Sequence, residues 1–117
     1  MPLQDLSEPA RVDLKMVAGD SFSKEFRLRE QDGTAIDLTG LTGRAQVRDR
    51  PGGELLAEFT VGPLDATGVV TISLTTAQTR ALPGKGVWDL ELDGGATNTK
   101  TIVQGDVKVI PDITVAP

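Results

Sequence analysis

The chain has 117 residues and a net charge of −5, with 12 basic and 17 acidic side chains and no Cys, His or Tyr. That length sets one domain with one core. The missing Cys excludes disulfides and thiolate chemistry, and the missing His removes the usual neutral-pH acid–base group and the commonest metal ligand. The cations are scattered, and aromatics make up 3%. The chain therefore offers neither a basic face for a duplex nor a stacking surface for single strands, and nucleic acid is not expected as a partner.

With so few rings, the core must rest on Val, Ile and Leu, with Phe22, Phe26, Phe59 and Trp88 as its large anchors. Packing of that kind, with 13 Gly and 7 Pro to punctuate it, favours short strands joined by turns. Apolar runs are too short to span a membrane. The opening MPLQDLSEPARVD has neither a basic n-region nor an apolar h-region, so the expectation is a soluble protein made in a cytoplasm.

Residues 1–10, with Leu3 and Leu6 as the large apolar side chains after Met1, read as an extended arm or an unordered terminus. From Arg11 the pattern alternates, with Val12, Leu14 and Met16 on one side of a half-buried strand. After a turn at Ala18-Gly19-Asp20, a second strand places Phe22, Phe26 and Leu28 inward. Lys24 breaks that row, as a guarding charge does on an edge strand. Asp32-Gly33 predicts a hairpin to a short strand over Thr34 to Leu38. Next come a strand with Ala45 and Val47 inward, a turn at Arg50 to Gly53, and a strand with Leu55, Ala57, Phe59 and Val61 inward.

Val70, Ile72 and Leu74 form the following inner row. Thr75 and Gln78 have capping-box spacing for a helix of a turn or two, which Leu82-Pro83-Gly84 stops, with Leu82 plugging one end of the core. Trp88, Leu90 and Leu92 then face inward, against Val87, Asp89, Glu91 and Asp93. Thr99 to Ile110 is a long strand with Thr101, Val103, Gly105, Val107 and Val109 on one face and a bulge or bend expected at Gly105. Pro111 ends it, and 111–117 form a tail with Ile113 and Val115. The sum is about seven or eight strands over residues 11–110, an all-β antiparallel sandwich with one short helix turn and extended termini.

No catalytic, cofactor or metal constellation emerges. Asp89, Glu91 and Asp93 diverge along a strand and suit a solvated face better than a Ca²⁺ site. The glycines contain no phosphate-binding motif, and Ser21, Ser23 and Ser73 have no His to activate them. The expectation is a non-enzymatic protein without cofactor or small-molecule substrate. Arg44 and Arg48, with Arg50 beyond them, mark one strand as a candidate contact surface, although a solvent-exposed face paired with the acids of a neighbour is the simpler account. The arms, through Leu3, Leu6, Ile113 and Val115, suit strand addition to a neighbour's sheet edge.

The order of segments resembles a family of small bacteriophage structural domains. GDSFSKEFRLREQDGTAIDLTG (residues 19–40) is similar to their start: Gly-Asp, an alternating strand, an Asp-Gly hairpin and a hydrophobic-Asp-Leu-Thr-Gly corner. GVVTISLTTAQTRALPGKGVWDLEL and IVQGDVKVIPDIT resemble their second half. Related domains resemble the N-terminal domain of phage baseplate upper proteins, and the resemblance covers that one domain and not the long regions that follow it in those proteins. The resemblance implies an immunoglobulin-like sandwich and a virion structural role as a tail or baseplate adaptor, in contact with other virion proteins and copies of itself. A capsid decoration or cement protein is the alternative. A carbohydrate-binding module is a third, weakened by a single Trp that the alternation places inside.

Overall fold

Period-two alternation over most of the chain builds two facing sheets. The computed structural model describes residues 9–94 and 99–113. Its elements in order are β1 (Ala10–Arg11), β2 (Leu14–Val17), β3 (Phe22–Arg27), β4 (Thr42–Arg48), β5 (Leu55–Glu58), β6 (Thr60–Val61), β7 (Val69–Leu74), α1 (Thr76–Arg80), β8 (Lys85–Asp93) and β9 (Thr99–Ile110). One sheet runs β1-β9-β8-β4-β5, with β2 also on β9, and the other runs β3-β7-β6. β1 and β2 lie parallel to β9, whereas β8 is antiparallel to both β4 and β9. This is an immunoglobulin-like β-sandwich.

The nine strands of the described residues reduce to seven runs. β1 and β2 are one edge run broken at Val12-Asp13, and β5 and β6 are one run that changes sheets at Phe59. The Phe59 amide bonds back to the Ala45 carbonyl at 2.8 Å, so its ring is driven into the core as the chain crosses.

Val47, Leu90, Leu92 and Val107 of the larger sheet meet Val70, Ile72 and Leu74 of the smaller one, all of them buried. Burying each such side chain favours folding by about 1.5–3 kcal/mol. The aromatic residues form one cluster between the sheets. Phe26 stacks on Trp88 at a centroid distance of 5.7 Å, Phe59 meets Trp88 edge-on at 5.9 Å, and Phe22 lies 6.2 Å from Phe59. Phe59, Trp88, Leu82 and Leu90 are buried, whereas Phe22 and Phe26 are only partly covered. The reason is their position: among the described residues β3 is an edge strand, and no further strand shields its rings. Lys24 sits at that edge with its ammonium 5.8 Å from the Phe26 ring centre.

The helix is fixed at its start by its own sequence. Thr75 Oγ1 accepts from the Gln78 amide at 3.2 Å, and the Gln78 side chain accepts from the Thr75 amide at 2.9 Å, a complete capping box. The fully buried Thr79 hydroxyl ties the helix to the β2–β3 turn. It accepts from the Gly19 amide at 3.0 Å and lies 2.8 Å from the Asp20 carbonyl, to which it donates.

The opposite end of the sandwich is built from one device used three times, Asp-X-Thr. Asp32, Asp37 and Asp65 each accept from the amide of the Thr two residues on, at 2.9, 2.9 and 3.0 Å. Such Asx turns satisfy a loop amide without a strand partner. Gly68 closes this end at φ +74°, where a Cβ would lie 2.6 Å from the Leu28 carbonyl oxygen.

Three sequence expectations are corrected. Thr34 to Leu38 is not a strand: a single bridge, Arg29 to Ala35, remains of the hairpin. Ile36 and Leu38 are buried, but their amides bond to Leu28 and Asp65 instead of forming a ladder. Leu55 does not face inward. A bulge at Val47/Arg48 sets it opposite the outward Arg48 and leaves it 44% exposed. The irregularity in β9 falls near Ile102 and not at Gly105, which pairs in register with Trp88. Gly105 is required for a different reason: a Cβ there would overlap the Val12 carbonyl.

Candidate protein-contact surface

The outer face of the larger sheet carries its polar side chains in rows set by register. Gln46, Asp89 and Gln104 stand side by side on β4, β8 and β9, and the next row places Arg48, Val87 and Asp106 together. Arg11 on β1 reaches over the sheet edge to Asp106 at 3.0 Å and Asp13 at 3.1 Å. The hairpin after β4 overhangs this face, held by the Glu54 amide on Asp49 at 2.8 Å and by Arg48 Nη1 on the Gly53 carbonyl at 2.8 Å.

The predicted contact residues are only partly brought together. Arg44 and Arg48 share the outward face of β4 with Gln46 between them. Arg44 pairs loosely with Glu58 at 3.6 Å, and Arg50 lies on the hairpin 3.5 Å from Asp49. Both pairs are exposed, where such contacts contribute little stability. Arg48 is different: Nε and Nη2 both donate to Gln46 Oε1, at 3.2 and 2.8 Å, so its guanidinium lies flat on the sheet. Ile113 stands 96% exposed beyond β9, and Arg80 clamps the neighbouring Asp112 at 3.3 Å. Leu3, Leu6 and Val115 lie outside the described residues.

Asp89 escapes an alternation-based search because alternation says only that it points outward. Burial pushes its carboxyl above the ordinary 3.8, Glu91 adds to the rise, and Arg48 opposes it. Among the described residues no group of three or more His, Cys, Asp or Glu side chains could hold a metal ion, and no helix is long and apolar enough to cross a membrane. Trp88 is buried between Phe26 and Phe59 and presents no platform for a sugar ring.

The backbone edges form the second surface. β3 pairs only with β7, and β5 only with β4, so each leaves one flank unpaired among the described residues. On β3 the outward side chains Ser23, Glu25 and Arg27 are polar and exposed, and Arg27 Nε bonds to Glu25 at 3.0 Å.

No family model matches the chain, and no curated protein does. Solved structures do. The N-terminal domain of phage TP901-1 ORF48 superposes with a TM-score of 0.59 at 17% identity, covering 90% of this chain and 92% of that one. Tim-1 gives a TM-score of 0.49 at 11% identity, covering 93% and 100%, and the Lin-41 filamin domain 0.45 at 17%, covering 80% and 82%. The first supports the sandwich fold, and the lower scores carry no argument.

Proposed function

We propose that this chain is a non-enzymatic bacteriophage virion protein, a tail or baseplate adaptor that holds neighbouring virion proteins or a fibre in a multi-copy assembly. The observation that carries this reading is the fold likeness to a phage protein's N-terminal domain across nearly the whole of both chains. The segment order of residues 19–40, 68–92 and 102–114 supports it as well. The described residues supply surfaces and edges in place of a reaction centre: a polar sheet face, and unpaired flanks on β3 and β5.

Strand addition is the mode of contact these edges suit, because backbone hydrogen bonds to a partner strand need no special side chains. In this reading the segment Met1 to Pro9 of one copy laces onto a neighbour. Deleting it leaves folding intact and abolishes assembly; normal assembly of the truncated protein would rule the lacing out.

Electron microscopy of the intact particle carrying labelled protein tests the location. Label at the tail tip or baseplate is expected. Label on the head would replace the adaptor role by capsid decoration, and a particle without label would remove the virion role.

A further inference from the structure

The outer sheet face carries a groove of about 370 Å³ between the overhanging hairpin, at Pro51 and Gly52, and β1, at Arg11. Its floor is the row Gln46, Asp89, Gln104. Asp89 is half-buried there, yet its carboxylate has no hydrogen bond or ion pair among the described residues, and neither does Glu91 beside it. The two cations that line the groove are held by other partners. Arg48 spends Nε and Nη2 on Gln46 and Nη1 on Gly53, and Arg11 is shared between Asp13 and Asp106. The groove therefore has at its centre a carboxylate that feels the charge of Arg48 but takes no hydrogen bond from it, while both lining cations are already bonded to other groups.

We propose that this groove takes a cationic side chain, arginine or lysine, projecting from a protein partner, with Asp89 as its counter-ion. Gln104, whose side chain makes no hydrogen bond among the described residues, supplies an amide oxygen as a second acceptor. A partly desolvated carboxylate gains most from a donor that brings its own charge, because such bonds are shorter and stronger than neutral ones. The net charge of −5 adds long-range attraction for a basic partner. An anion is disfavoured here, since it would meet the Asp89 carboxylate on the floor, and the charge of Arg11 is already matched by Asp13 and Asp106. A second copy of the chain fits only if it offers such a cation, and Arg44 and Arg50, the loosely held arginines of this surface, are each already beside an acid.

That the cation belongs to a protein rests on the contact role proposed above, but its test does not. The folded protein is titrated with N-acetyl-arginine amide and N-acetyl-lysine amide, and backbone and side-chain amides are followed by NMR. Saturable shifts confined to Gln46, Asp89 and Gln104 and their neighbours are expected, with none from the citrulline amide, which keeps the shape and lacks the charge. Asp89→Asn weakens binding about tenfold or more, whereas Glu54→Gln on the exposed hairpin leaves it unchanged. Non-saturating shifts, shifts elsewhere, or equal binding by Asp89→Asn overturn the proposal. So does binding of N-acetyl-glutamate amide that depends on Arg48, which would make the groove an anion site. A failed titration with the protein present in particles removes the groove alone; a positive one with the protein absent from particles removes the virion role alone.

Discussion

The indole Nε1 of Trp88 donates a 2.8 Å hydrogen bond to the carbonyl oxygen of Val12, the residue at which the first edge run breaks. Gly105 lies opposite Trp88 in register, and the Val12 carbonyl occupies the space a side chain at Gly105 would need. The break between β1 and β2, the glycine in β9 and the indole in β8 are therefore one interlock. The Asp13 carboxylate reinforces it by accepting from the Asp106 amide at 2.9 Å.

Trp88→Phe keeps an aromatic ring but leaves the Val12 carbonyl without its donor and a gap beside Phe26. Destabilisation of about 2–4 kcal/mol is expected, read as a lower urea midpoint with an unchanged slope. In the wild type, the buried ring is expected to give blue-shifted emission that resists iodide quenching. Red-shifted, easily quenched emission would place the ring outside the core.

Gly105→Ala forces the Val12 segment off β9 and costs about 2–4 kcal/mol, with amide exchange accelerated first in β1 and β2. Gly52→Ala is the contrast. That glycine has φ +71° and open space around it, so the cost is the left-handed backbone alone, about 1–2 kcal/mol. Gly105 has no left-handed φ, so a loss no larger than that of Gly52→Ala would mean that the Val12 carbonyl does not block the position.

Thr79→Val is nearly isosteric and removes the hydroxyl that joins α1 to the β2–β3 turn. The Gly19 amide and the Asp20 carbonyl lose their shared partner, at a cost of about 1–3 kcal/mol. Thr79→Ser keeps the hydroxyl and recovers most of that loss in a denaturation series.

The aspartates split by sign. Asp32, Asp37 and Asp65 are held below the ordinary value of 3.8 by hydrogen bonds from Thr34, Thr39 and Thr67. Their contribution to stability is fully present above 3.8 and is lost as pH falls through the lowered folded values. Asp89 works the other way. Its raised folded value means that ionisation penalises the fold at neutral pH, and protonation on acidification relieves the penalty. Denaturation midpoints across the acid range should fall more gently in Asp65→Asn than in the wild type. Asp89→Asn should be at least as stable as the wild type at neutral pH.

Local patterning accounts for much of the fold. Trp88, Leu90 and Leu92 sit inside because alternation in β8 is unbroken, and Thr75 and Gln78 cap the helix their spacing announces. It fails where the chain leaves a regular strand. Leu55 is turned outward by a bulge that depends on β4, and Ile36 and Leu38 are buried by loop bonds to Leu28 and Asp65. The groove was illegible for a related reason. Asp89 reads as one outward acid among several until register sets it between Gln46 and Gln104, residues far from it in the chain.

The parallel pairing of β1 and β2 with β9 also has a mechanical side. The described chain enters the sandwich at the Ala10 end, level with Val103, and leaves β9 at Ile110, level with Val17. Tension applied through the two ends pulls these neighbouring strands past one another along their length. The ladder bonds from Leu14 to Val17 and the interlock at Val12 then bear the load together instead of opening in turn. A module threaded in this way is loaded in shear, the direction in which a strand pair resists force best.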